Sequence, residues 1–259
     1  MTLAGCSHPG RPVLQSWLLR LLALALGLLM TGCATGPQAN PADPLEPWNR
    51  GVYKFNDALD RAVLKPVATV YQESTPELLR RGIGNFFANL EDAWTTVNSV
   101  LQLKGQAAGE SFTRFWVNSF FGLAGVLDVA SEMQIPRHNE DFGQTLGYWG
   151  VGAGPYVMLP LLGPSTVRDT AALPADWRGD LVTHIEDVPT RNTLIGVRVV
   201  HKRGRLLKQE DLLEGAALDK YTFLRDAYLQ HRRNLVYDGN PPEEPMIEDV
   251  ETDGDETAK

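Results

Sequence analysis

The sequence predicts a single, mostly α-helical domain, and three observations predict it. Acid-and-proline signals that open helices stand ahead of two apolar runs, apolar residues recur at three- and four-residue spacing along most of the chain, and no comparable run of period-two alternation appears. With 43% hydrophobic and 22% charged residues in a chain of 259, there is enough apolar material for one sizeable core, and no internal repeat divides it.

The chain opens on a leader. Arg11 and Arg20 form a positive n-region, and residues 21–30 are apolar. That length suits a signal peptide, because a spanning helix needs ~20 apolar residues. Leu29-Met30-Thr31-Gly32-Cys33 then places small residues immediately before a lone cysteine, the pattern of a bacterial lipoprotein cleavage site. Residues 1–32 are therefore expected to be removed and Cys33 to be the lipid attachment point. Its thiol takes diacylglycerol and the new amino terminus a further acyl chain; two or more chains anchor stably where one is marginal. The next residue is Ala34 and not Asp, which by resemblance to lipoprotein sorting favours the outer membrane. Residues 33–42 are small, polar and proline-bearing, a lipidated tether short enough to hold the body against the bilayer.

Of the 2 cysteines, Cys6 lies in the leader and Cys33 is consumed by lipid. The mature chain is left without a thiol, which excludes disulfides, Cys-ligated metal sites and a thiol nucleophile. Loss of Arg11 and Arg20 takes the 24 basic residues to 22 against 32 acidic. Eight of those acids fall in residues 240–259, a proline-bearing segment that reads as a disordered acidic tail, so the body is close to neutral. Nucleic acid is not an expected partner, since its counterions are released by a concentrated basic face.

The domain over residues 43–239 is read helix by helix. Asp43-Pro44-Leu45-Glu46 combines an N-cap acid, a proline at the first helical position and a glutamate at the third, and Trp48, Val52, Phe55, Leu59 and Ala62 follow on one face. That helix is expected to stop near Pro66. Thr75-Pro76-Glu77 repeats the opening, leading into a helix over 78–83 that Gly82 and Gly84 loosen or end. Over 86–103, Phe87, Leu90, Trp94, Val97 and Leu101 keep helical spacing opposite Asn89, Glu91, Asp92, Thr96 and Asn98, and 110–121 carries Phe112, Phe115, Trp116 and Phe120 likewise. Residues 194–213 and 218–237 are predicted helices, the second with Tyr221, Leu224, Tyr228 and Leu235 on one side. Six of the nine phenylalanines crowd between Phe86 and Phe121, beside Trp94 and Trp116. A helix-packed core is the plainer reading of those rings; amphipathic helices lying in a membrane leaflet is the sharper one.

The middle of the chain breaks this pattern. Residues 147–164 run Gly-Tyr-Trp-Gly-Val-Gly-Ala-Gly-Pro-Tyr-Val-Met-Leu-Pro-Leu-Leu-Gly-Pro, without the G-x-G-x-x-G or Gly-Lys-Ser/Thr phosphate fingerprints. This predicts an irregular loop closely approached by backbone, either a tightly packed turn or a gating element.

Several of these segments together carry a resemblance. Asp43-Pro44-Leu45-Glu46 with Asn49-Arg50 and Phe55-Asn56, then Phe142-Gly143-Gln144-Thr145-Leu146-Gly147, then Gly150-Val151-Gly152 with Gly154-Pro155-Tyr156 and Leu159-Pro160, and finally Arg168-Asp169, occur in one order over residues 43–228. In this the chain resembles the MlaA (VacJ) family of outer-membrane lipoproteins. The resemblance implies a ring-like helical domain in the inner leaflet of the outer membrane, facing the periplasm and associated with a trimeric porin. It also implies a central amphipathic channel that takes mislocalised phospholipids from the outer leaflet to a soluble periplasmic carrier of the Mla pathway, and so maintains lipid asymmetry. No cofactor, metal or catalysis is implied. By position, Gly150, Gly152 and Gly154 match the family's channel-side loop, and Arg168, Asp169 and Asp176 match polar positions of the channel. The chemistry is coherent, because a phospholipid needs apolar wall for its tails and a few donors or cations for its phosphate. Arg168 beside Asp169 reads equally as such a cation or as an ordinary ion pair.

Two other classes remain open. An envelope hydrolase lacks the nucleophile elbow at Ser165, and no H-E-x-x-H motif occurs; His138 with Asp141, or His184 with Glu186 and Asp187, are its candidate base-and-orienter pairs. A non-transporting scaffold lipoprotein would use His201-Lys202-Arg203-Gly204-Arg205 for docking, although a solvated helix face explains that run as well.

Overall fold

A computed structural model describes residues 43–214 and 219–243, with side chains in the penultimate helix described as far as Leu207. The leader, Cys33, the tether and residues 244–259 of the acidic tail lie outside the described residues. Nine α-helices and one β-hairpin follow in order among those described: α1 (Glu46–Leu59), α2 (Lys65–Ser74), α3 (Glu77–Leu101), α4 (Gly105–Phe120), α5 (Val129–Glu132), α6 (Phe142–Tyr148), β1 (Tyr156–Leu159), β2 (Gly163–Thr166), α7 (Val167–Gly179), α8 (Val188–Glu214) and α9 (Lys220–Val236). The protein is mostly α, and no helix among the described residues is long and apolar enough to cross a membrane.

The first helix neither begins nor ends as its sequence suggests. Leu45 stands at the N-cap without a side-chain bond, and Pro47 enters the first turn. Asp43 is buried instead, at 1% exposure, and accepts hydrogen bonds from Asn49 Nδ2 (2.7 Å) and from the Tyr221 hydroxyl (2.5 Å). At the far end the helix does not stop at Pro66. A π-helical turn over Asp60–Leu64 carries it into α2, with the Lys65 amide donating to the Asp60 carbonyl five residues back. The wider turn absorbs the ring clash and the missing N–H that Pro66 brings, which a regular α-turn cannot do.

Gly82 and Gly84 likewise fail to end a helix, since α3 runs unbroken for 25 residues. They are points of close approach. A Cβ on Gly82 would stand 2.9 Å from Val126 Cγ1, and one on Gly84 2.9 Å from His201 Nε2.

Helices α3 and α4 pack together as a hairpin through residues 102–104, and they pack polar face to polar face. On α3 the buried set is Phe87 with Asn89, Asp92, Thr95, Asn98 and Ser99; on α4 it includes Ser111, Arg114 and Asn118. The predicted apolar stripe points outward: Val97 (44%), Leu101 (43%), Phe112 (53%), Trp116 (42%) and Phe120 (71%) are exposed. The core reading therefore holds for Phe87 and fails for most of the aromatic run. Among the described residues, twenty buried polar or charged side chains stand against ten buried hydrophobic ones, the reverse of a water-soluble bundle.

The hairpin was invisible to periodicity because each strand is four residues long. Tyr156 pairs with Thr166 and Leu159 with Gly163, antiparallel. Tyr156 and Met158 face inward against Val52 and Tyr221, forming a small apolar core that joins α1, the hairpin and α9.

Candidate functional site

The glycine-rich segment is ordered by its neighbours. Gly150 takes φ +89° at the end of α6, where its amide donates to the Gly147 carbonyl (2.9 Å) and the Val151 amide to Leu146 (2.9 Å), a left-handed helix stop that favours glycine. Gly154 takes φ +68° with Val167 Cβ 3.2 Å from where its own Cβ would stand. Gly152 has open space around it, so no steric demand explains that glycine. The segment is then fastened to α7: the Val167 amide donates to the Pro155 carbonyl and the Arg168 amide to Ala153, both at 3.1 Å.

Helix α1 holds the hairpin from the other side. Asn49 donates to the Tyr156 carbonyl (3.1 Å) and accepts from the Met158 amide (2.8 Å). Asn56, two turns on, donates to the Leu159 carbonyl and accepts from the Leu161 amide, both at 2.9 Å. Two asparagine side chains thus stand in for a third strand along β1, each satisfying one carbonyl and one amide that an edge strand otherwise leaves open.

Beneath the glycine-rich segment lies a buried ion-pair network. Thr166 caps α7 by accepting from the Asp169 amide (3.2 Å), which brings Arg168 and Asp169 into its first turn. Arg168 Nε donates to Asp169 Oδ1 (2.9 Å), and its Nη1 reaches the Val151 carbonyl at 3.4 Å. From α9, Arg232 donates to Asp169 Oδ2 (2.7 Å) and grips Asp141 with two bonds of 2.5 and 2.6 Å; the Tyr228 hydroxyl adds a bond to Asp169 (3.0 Å). Asp141 in turn caps α6 by accepting from the Gln144 amide (2.8 Å). Burial works against ionising Asp141, yet the two bonds from Arg232 overcome it and hold that carboxyl below its ordinary range. Asp169 behaves the same way under Arg232 and Arg168. Asp176, farther along α7, accepts from Trp94 Nε1 and from the Phe142 amide, both at 2.8 Å; burial outweighs those bonds and raises its pKa.

The structure therefore brings the predicted residues into one region with different standings. Arg168 and Asp169 touch, and the segment holding Gly150, Gly152 and Gly154 lies across them, while Asp176 ties α7 to α3 and to the start of α6. Arg168 is 7% exposed, and its Nη2, although 2.9 Å from Asp169 Oδ1, makes no bond of hydrogen-bonding geometry. Donor capacity is left over at that nitrogen. Arg232 escaped the sequence reading, because nothing distinguishes it from Arg233 until the fold turns it toward Asp141 and Asp169. Asp43 was read as a cap, and its link to Tyr221 spans the length of the domain.

The enzyme pairings do not form. His138 binds Glu110 (2.6 Å) and Asp141 belongs to Arg232, while His184 Nδ1 lies 3.1 Å from the backbone carbonyl of Asp180. The basic run on α8 is largely spent within the fold, with Lys202 on Glu91 (2.7 Å) and Arg203 on Asp60 (2.7 Å).

Comparison with known proteins gives a consistent picture. The family model described as MlaA lipoprotein matches residues 41–235. A protein of Escherichia coli (strain K12) named intermembrane phospholipid transport system lipoprotein MlaA is 37% identical over 248 residues, covering 91% of this chain and 96% of that one. Its namesake in Haemophilus influenzae is 32% identical, covering 85% and 90%. A solved structure described under "Structural basis for maintenance of bacterial outer membrane lipid asymmetry" superposes with TM-score 0.66 at 34% identity, over 76% of this chain and 99% of that one.

Proposed function

The chain belongs to the MlaA lipoprotein family, and from that premise we propose that it withdraws mislocalised phospholipids from the outer leaflet of the outer membrane and passes them through a central amphipathic channel to a soluble periplasmic carrier. In this reading it is anchored by acylated Cys33, sits in the inner leaflet beside a porin trimer, and performs no catalysis. The family is one of phospholipid-transport lipoproteins tied to outer-membrane lipid asymmetry, and not an enzyme family.

One observation carries the proposal: the α3–α4 hairpin buries mostly polar side chains and, Phe87 apart, leaves its large apolar ones exposed or half-exposed. At about 25 cal/mol per Å² of apolar surface, exposing rings of this size to water is costly, whereas acyl chains receive them at no such cost. A helix pair of this kind belongs in a leaflet, with polar groups lining the interior. The phosphate-contact role of Arg168 and the gating role of Gly150, Gly152 and Gly154 rest on the resemblance, and their support here is proximity: Arg168 Nη1 reaches the Val151 carbonyl in that segment.

Deletion tests the proposal. Phospholipid is expected to accumulate in the outer leaflet of the deletion strain and to return to normal when the intact chain is restored. Arg168→Glu is expected to reach the outer membrane yet restore asymmetry poorly; full restoration removes Arg168 from the transport path. An unchanged outer leaflet in the deletion strain favours the scaffold reading instead.

A further inference from the structure

A second polar site lies apart from the Arg168 network. The first turn of α4, residues 137–140 and the end of α9 line an open cavity of about 700 Å³, within the size range of small-molecule sites. Its walls carry both signs of charge. Lys104 and Arg137 are cationic, and Glu110, Glu140 and Asp238 are anionic. Lys104 Nζ is held between Glu140 (3.0 Å) and Asp238 (2.5 Å), which fixes the cation at the junction of α4 with α9. Arg137 lines the cavity and gives one nitrogen, Nη2, to both Asp128 (3.3 Å) and Asp92 (3.9 Å), so Nε and Nη1 have no protein partner among the described residues. Glu110, on the same lining, accepts from Gln106 (2.9 Å) and meets His138 Nε2 (2.6 Å). Those two bonds hold the Glu110 carboxyl below its ordinary range, so it stays ionised.

A simple anion is a poor occupant, since it meets three carboxylates. A simple cation is little better, since it meets Lys104 and Arg137. We propose that this cavity binds a phosphate–ammonium zwitterion, with the phosphate toward Arg137 and the ammonium toward Glu110. Attached to a lipid, that chemistry is the head group of an ethanolamine phospholipid; free in solution, it is a glycerophosphoethanolamine-type phosphodiester. The lipid source rests on the transport reading above and deepens it to a head-group preference, because a glycerol head group brings no ammonium for Glu110.

The test uses the full-length lipoprotein in detergent, titrated calorimetrically with dihexanoyl phosphatidylethanolamine, dihexanoyl phosphatidylglycerol, glycerophosphoethanolamine and inorganic phosphate. The ethanolamine compounds are expected to bind, with the glycerol lipid and phosphate weaker by about tenfold, as for the loss of one charge-assisted bond. Glu110→Gln and Arg137→Gln are each expected to erase the preference while circular dichroism shows the helical fold intact, the Arg137 variant melting lower because it also withdraws a cation from Asp92 and Asp128. Binding of both ethanolamine compounds assigns the site to lipid, and binding of the soluble one alone assigns it to a phosphodiester metabolite; either sustains the zwitterion site. Equal affinity for both lipids, or a preference untouched by both substitutions, overturns it. The transport reading fails separately, by a deletion strain with a normal outer leaflet.

Discussion

Asp92 shows what a polar interior demands of a single residue. It is 1% exposed between α3 and α4, with Arg114 Nε 3.6 Å away and Arg137 Nη2 at 3.9 Å, and its Oδ2 has no hydrogen-bond partner. Burial lifts its pKa to about 6, against the pull of Arg137 and Arg114. A carboxyl whose folded pKa lies above its unfolded value takes up a proton on folding, so it favours the native state more as pH falls through about 6 toward the ordinary carboxylate range. Asp92→Asn is therefore expected to flatten the pH dependence of the melting temperature over that window and to raise it most near pH 7; an unchanged pH profile counts against a strained Asp92. Arg232 is the opposite case. Its side chain, 11% exposed, bonds both Asp141 and Asp169, so Arg232→Leu strips the half-buried Asp141 of its cation, leaves Asp169 only Arg168 and Tyr228, and is expected to cost ~3 kcal/mol in urea unfolding. A loss under 1 kcal/mol would mean that the network is solvated (~1 kcal/mol being the ceiling for exposed pairs).

At the scale of elements, the sequence is a better guide to what is helical than to which side faces in. The long amphipathic segments are visible because three- and four-residue spacing survives whichever face is buried. Which face is buried depends on the solvent, and spacing carries no information about that: Leu101 and Phe120 occupy the positions of core residues and point outward. The hairpin was missed because four residues give two repeats of a two-residue period, too few to read against the glycines and prolines around them. Asn49 and Asn56 pair with that hairpin from a helix seven residues apart, a contact that only the fold can reveal. Gly150, by contrast, was legible as a position of unusual backbone. The turn between α3 and α4 carries a correctable strain. Leu103 adopts φ +59° and is 74% exposed, so Leu103→Gly is expected to raise stability by about 1 kcal/mol, the usual penalty for a left-handed non-glycine residue. Melting of the variant reads this directly, and a lower melting temperature would show that the Leu103 side chain contributes contacts that outweigh its backbone.

For the whole molecule, sequence and structure agree on class and family, and the placement of the candidate site was legible only in part. Arg168 and Asp169 were found by resemblance, whereas their partner Arg232 and the buried link between Asp43 and Tyr221 join segments far apart in the chain. The account as a whole depends on where the outward apolar faces lie. Beyond Cys6 and Cys33 the chain has no cysteine, so one introduced thiol is a unique reporter if, as proposed, the leader is removed and Cys33 is acylated. Bimane attached at Phe120→Cys, on the apolar face of α4, is to be compared with bimane at Gln106→Cys, on the rim of the polar cavity, in bilayers containing lipids with a nitroxide on the acyl chain. The account predicts strong nitroxide quenching and little iodide quenching at position 120, with the reverse at position 106; equal iodide access at both would contradict a hairpin immersed in lipid.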